Sequence, residues 1–227
     1  MLFIILTVIG LLAVLSRLSY IRFQAVGAAE RKNPEPFSAK AYWTWLRSRA
    51  KAILTRESYK KAEKIFVDWT ASHYPGWMKW IFLAFGLSVL YLAASGFFFA
   101  LFIPRGMFGL PLLGHIILGG LFAFSLTALL AWRGRAYRLD KDEATVFESF
   151  ACPVFKNLSK TLLRKVLFWA FAAFGLVQVS TALGSMLPIF TFETQQAFIA
   201  IHRTSALALL LTAIVFIDVT FIPQRRP

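Results

Sequence analysis

Three histidines are the side chains in this sequence best suited to binding a metal, and two lie where an ionisable group is least expected. His115 stands in Leu-Pro-Leu-Leu-Gly-His-Ile-Ile-Leu-Gly-Gly and His202 in Phe-Ile-Ala-Ile-His-Arg-Thr-Ser-Ala, both inside long apolar runs. Placing an ionisable side chain in hydrocarbon is costly, so such a residue marks a functional site or pairs with a neighbour. Counted from where its apolar run begins, each histidine is about five residues in, roughly 6–8 Å along a helix. Two imidazoles at matching depth in two parallel helices are what a metal or haem iron between those helices requires. Zinc needs a third and fourth ligand, and no Cys, Asp or Glu falls at that level of the sequence. A b-type haem brings four nitrogens of its own, so two imidazoles complete it. Gly119 and Gly120 come about one turn after His115, and Ala206 one turn after His202, leaving room for a flat macrocycle. Arg203, beside His202, and Arg105, in the loop before the His115 run, are placed to pair with propionates at the water boundary. The structural alternative is that each histidine hydrogen-bonds to a Ser or Thr of a neighbouring helix and holds no cofactor.

The elements that must position these residues are membrane helices. Of 227 residues, 58% are hydrophobic and only 16% charged, yet the net charge is +14. Soluble globular chains have roughly 45–50% apolar residues. The 24 Phe and a mean hydropathy of +0.64 exclude a soluble nucleic-acid binder and a disordered basic tail. With a single cysteine, Cys152, no internal disulfide forms, and no Cys-x-x-Cys-His is present for c-type haem attachment. A membrane helix needs about 20 mostly apolar residues, and five stretches qualify: 2–20, 80–103, 110–132, 166–187 and 197–222. The first lacks a basic leading region and ends without a small-x-small cleavage site, so it reads as a retained anchor.

Lys and Arg orient the spans. Residues 17–79 hold 13 of them, residues 133–165 hold 8, and the tail adds Arg225 and Arg226. With five spans, these regions share one side and carry 23 of the 25 basic residues. That side is expected to be cytoplasmic, with the N-terminus outside and the C-terminus inside a bacterial inner membrane. Both buried histidines then fall on the outer side. The connector after the first span reads as helical from Ser38 onward, with Tyr42, Trp45, Leu46, Ile53 and Leu54 on one face and Arg47, Arg49, Lys51 and Arg56 between them. This amphipathic segment suits anionic lipid or a cytoplasmic partner equally, beside the plainer reading of a solvated basic connector. The expected organisation is an anchor over 1–22, a basic cytoplasmic segment over 23–78 and a four-helix bundle over 79–227.

The last four spans resemble the four-helix cytochrome b subunit of membrane-bound formate dehydrogenases and nickel-iron hydrogenases. Tyr-Leu-Ala-Ala-Ser-Gly-Phe-Phe-Phe from Tyr91 to Phe99 is similar to the Ser-Gly-aromatic end of that family's first bundle helix. His115 follows Ser95 by 20 residues, as a family ligand does, and His202-Arg-Thr-Ser-Ala-Leu-Ala-Leu-Leu resembles the family's fourth helix. The resemblance covers residues 77–222. The extra first span is similar to five-span subunits of nitrate reductase and heterodisulfide reductase type. The family commonly stacks two haems. The positions matching the second pair of ligands fall near Ile81 and at Phe216, and neither is histidine. The resemblance therefore implies one haem, near the non-cytoplasmic face. It also supplies a quinone as exchangeable substrate and an iron-sulfur or c-type cytochrome subunit as electron partner.

The remaining features take plainer readings. His73 sits among Trp69, Tyr74, Trp77 and Trp80, as in an interfacial aromatic belt. Asp218 is expected to snorkel or to pair with a loop Arg rather than serve in quinone protonation. Ser180, Thr181 and Thr127 read as helix-packing hydroxyls, and Cys152 as inert. The expectation is thus an all-α, five-span protein acting as an electron conduit rather than a complete enzyme. The alternative is a cofactor-free membrane scaffold or assembly subunit with structural histidines. A small transporter is disfavoured by the absence of an inverted repeat.

Overall fold

With no water in the bilayer core, a spanning segment must satisfy its backbone polar groups internally, and long apolar runs fold there as helices. The computed structural model describes residues 2–30, 38–53, 55, 60, 63–64, 67–68, 70–72, 74–103, 106–140, 143 and 159–221. Among them are α1 (Leu2–Glu30), α2 (Ala39–Ile53), α3 (Met78–Phe102), α4 (Gly109–Arg133), α5 (Lys160–Met186) and α6 (Phe192–Phe221), with a short 3-10 turn at Gly134–Tyr137. Five of these, all but α2, are long and apolar enough to cross a membrane. Their exposed side chains fit that setting: Leu87 and Phe124 are each 67% exposed and Ile117 61%, as expected of surfaces that face lipid or another membrane helix. The chain is an all-α, multi-pass membrane protein.

Two helix starts and one helix end lie beyond the apolar runs that announce them. The last helix begins at Phe192, not at residue 197, because Thr191 caps it: its hydroxyl accepts from the Thr194 amide at 3.4 Å and its carbonyl from the Gln195 amide at 3.0 Å. Ser159 caps α5 in the same way, accepting from the Leu162 amide at 3.1 Å. The first helix continues past residue 20 to Glu30. Hydropathy locates the membrane-facing run, whereas capping groups locate the helix.

The residues divide into two compact units. One joins the start of α1, through Ile9, with the chain from Ile81 to Phe221. Here Phe3 stacks on Phe97 with ring centroids 6.2 Å apart. Phe85, Phe122 and Phe171 form a ring cluster, with Phe85 5.7 Å from Phe122 and 5.8 Å from Phe171. Glycines let helices close in. A Cβ on Gly175 would stand 2.7 Å from Leu126, and one on Gly184 would stand 2.8 Å from the Phe198 ring. The α5–α6 hairpin is the most closely packed pair. At the other end of the bundle, Tyr137 stacks on Phe168 at 4.2 Å, and Trp169 Nε1 donates to the Tyr137 carbonyl at 2.9 Å. Lys165 pairs there with Asp140 at 3.2 Å and Glu143 at 2.6 Å. Asp218 is half-buried near the end of α6.

The other unit runs from Gly10 to Trp80. Ser38 begins α2, its carbonyl accepting from the Tyr42 amide at 3.0 Å. The amphipathic reading of this helix holds in part: Tyr42 and Trp45 pack edge-on to Phe23 of α1, with centroids 5.5 and 5.7 Å away. Trp43 and Arg47 are exposed. Leu54 and Arg56 lie outside the described residues.

Candidate functional site

The bundle brings His115 of α4 and His202 of α6 within electrostatic range of each other. The backbones of these two helices are not in close contact, so the side chains reach across the space between them. Counted from the helix starts, His115 is six residues into α4 and His202 ten residues into α6. The matching depth expected from the apolar runs is therefore not a matching distance from the helix ends. The last helix simply begins farther from its histidine, on its Thr191 cap.

Each ring is held from one side by a neighbouring helix. Ser95 of α3 places its Oγ 2.9 Å from His115 Nδ1. Thr181 of α5 places its Oγ1 3.2 Å from His202 Nδ1. Gln178, a buried amide one turn earlier on α5, donates to the His202 carbonyl at 2.7 Å and to Ser205 Oγ at 2.6 Å. This fixes the α6 backbone at the ring. Two glycines make room for side chains between α3 and α4. A Cβ on Gly96 would come 3.4 Å from His115 Cε1, and one on Gly114 would come 2.6 Å from the Tyr91 hydroxyl. Among the described residues, neither Nε2 makes a hydrogen bond.

Reading Thr181 as a packing hydroxyl is thus incomplete, since it also bonds His202. Thr127 does fit that reading, its hydroxyl donating back to the Ala123 carbonyl at 2.9 Å. Gly119 lies in open space, with nothing within 4 Å of where a Cβ would sit, and the same holds for Gly120. Arg203 is exposed beside His202. Arg105, His73 and Cys152 lie outside the described residues. Sequence reasoning missed Gln178, although an amide within an apolar span is itself a signal, because it must find a partner there. It also passed over Tyr91, Gly96 and Gly114 as site residues.

Among the described residues, no group of three or more His, Cys, Asp or Glu comes together. The donor set at this level is two imidazoles, each with its Nε2 free of protein partners. That set fits a centre which supplies its own equatorial ligands, as haem does, better than one that needs four protein ligands. Phe216, where the resembling family has a second ligand, packs with Tyr137 at a centroid distance of 6.3 Å. Compared with known proteins, the chain matches no family model, no curated protein and no solved structure.

Proposed function

We propose that this chain is a membrane cytochrome b subunit holding one haem b between His115 and His202. The reading rests on one observation: two half-buried imidazoles on separate helices of one bundle, within electrostatic range of each other, each held through Nδ1 and each with Nε2 unclaimed by protein among the described residues. A bound haem supplies a reversible one-electron centre. The chain's own residues do the rest. His115 and His202 would hold the haem iron through Nε2, Gly119 and Gly120 leave open space on the α4 side, and Arg203, together with Arg105, would offer cations to propionates. The apolar helices exclude water, which tunes potential through burial. By resemblance to the formate dehydrogenase and hydrogenase cytochromes, the electron would pass between quinone and an iron-sulfur or c-type cytochrome subunit. The basic segments favour an inner membrane with the C-terminus cytoplasmic and the site toward the outer face. The exposed Trp43 and Arg47 of α2 suit contact with anionic lipid.

The second reading, a cofactor-free scaffold, is favoured by the same hydroxyl contacts, because interhelical His–Ser and His–Thr bonds are what structural histidines would make. A reduced-minus-oxidised spectrum of the purified chain separates the two. A low-spin b-type spectrum, lost in His115→Ala and in His202→Ala, supports the cytochrome; a stable, correctly assembled and colourless protein supports the scaffold.

A further inference from the structure

The two hydroxyls that meet the histidines share a constraint. A hydroxyl has one proton to donate. Ser95 Oγ donates its proton to the Tyr91 carbonyl at 2.7 Å, one turn back along α3. Thr181 Oγ1 donates to the Val177 carbonyl at 2.6 Å, one turn back along α5. This back-bonding is the usual recourse of Ser and Thr inside helices. With that proton committed, each oxygen can offer only a lone pair to Nδ1. The Nδ1 atoms at 2.9 and 3.2 Å are then placed to donate to that lone pair. A neutral imidazole has one N–H, so a ring that donates through Nδ1 keeps Nε2 as its bare, lone-pair nitrogen.

We propose that Ser95 and Thr181 are positioning residues that lock His115 and His202 in the Nδ1–H tautomer and so present both Nε2 atoms as ligand donors. This rests on the haem reading of the site and names what prepares its ligands. Two different helix pairs, α3 with α4 and α5 with α6, arrive at the same arrangement. Metal-bound histidines regularly donate their other N–H to an oxygen, which fixes the ring and makes the ligating nitrogen more basic. A more basic ligand favours ferric over ferrous iron and lowers the potential. A hydroxyl does this without burying the second charge that a carboxylate would bring into hydrocarbon. Gln178 adds a backbone clamp on the His202 side, through the His202 carbonyl and Ser205.

The test uses the full chain in membranes with ¹⁵N-labelled histidine, as wild type, Ser95→Ala, Thr181→Val and the conservative Ser95→Thr and Thr181→Ser. If the protein is coloured, it is reduced to its diamagnetic ferrous form for the spectra. The Nδ1 signal of His115 then moves only in Ser95→Ala and that of His202 only in Thr181→Val. The midpoint potential rises in each, haem retention falls by about 10–100-fold, and the conservative variants restore both. Nδ1 signals and a potential indifferent to the hydroxyls would overturn the inference while leaving the haem reading intact. If the wild type is colourless, the haem reading fails and the tautomers are read directly. Protonated Nδ1 with bare Nε2 upholds the inference, and a proton on Nε2 overturns it.

Discussion

At the residue scale, the site depends on where small residues stand as much as on its histidines. Two glycines in the same bundle make contrasting cases. A Cβ on Gly184 would collide with three atoms of the Phe198 ring at 2.8 to 3.0 Å, whereas one on Gly86 would meet nothing within 4 Å. Gly184→Ala is therefore expected to destabilise the bundle by about 1–3 kcal/mol through overpacking, while Gly86→Ala leaves stability at or above wild type. Thermal unfolding in detergent measures both, and equal melting temperatures would contradict the packing described. Gln178→Leu removes the donor to His202 and Ser205 and is expected to cost on the order of 0.6–1.7 kcal/mol, the range for polar contacts in membrane helices. At this scale the sequence was legible in its histidines and not in their partners. His115 and His202 stand out because every neighbour is apolar. Ser95 and Thr181 could be singled out but not paired with their histidines, because hydroxyls recur through the spans and helical periodicity does not say which face meets which neighbour.

At the element scale, the turn after α4 is latched to the start of α5. Tyr137 stacks on Phe168, Trp169 donates to the Tyr137 carbonyl, and Lys165 reaches Asp140 and Glu143. The hydrogen bond from the Lys165 ammonium, aided by the Asp140 amide, holds the Glu143 carboxyl below its ordinary value of 4.5. A carboxylate with a depressed folded value stabilises fully above its unfolded value and loses that contribution as pH falls through the lower one. The melting temperature of the wild type should therefore drop on acidification below 4.5, and Lys165→Met should flatten that acid limb. An unchanged limb in Lys165→Met would remove the latch from the account. Elements were largely legible: five apolar runs are five long helices, and the connector helix begins after Ser38 as its pattern indicates. Their ends were not, because Thr191 and Ser159 start helices in polar sequence outside the apolar runs. The histidines therefore stand at unequal distances from their helix starts, six residues for His115 and ten for His202.

At the scale of the whole molecule, the charge of +14 on so apolar a chain is a statement about topology. Lys and Arg concentrate in segments that an odd number of spans places on one side. A fluorescent protein fused after Pro227 should therefore fold and fluoresce in the cytoplasm, while a tag before Met1 should be reached by a protease acting from outside. The reverse pattern would invert the bundle and move the histidines to the inner face. The aromatic packing of Tyr137, Phe168 and Phe216 at the other end of the bundle fits a single centre rather than a two-haem wire. The most direct test of the central claim is haem content per chain by pyridine extraction, in wild type, His115→Ala and His202→Ala. One haem per chain is expected in the wild type and none in either variant. A wild type without haem, a wild type with two, or a variant that keeps its haem would contradict it.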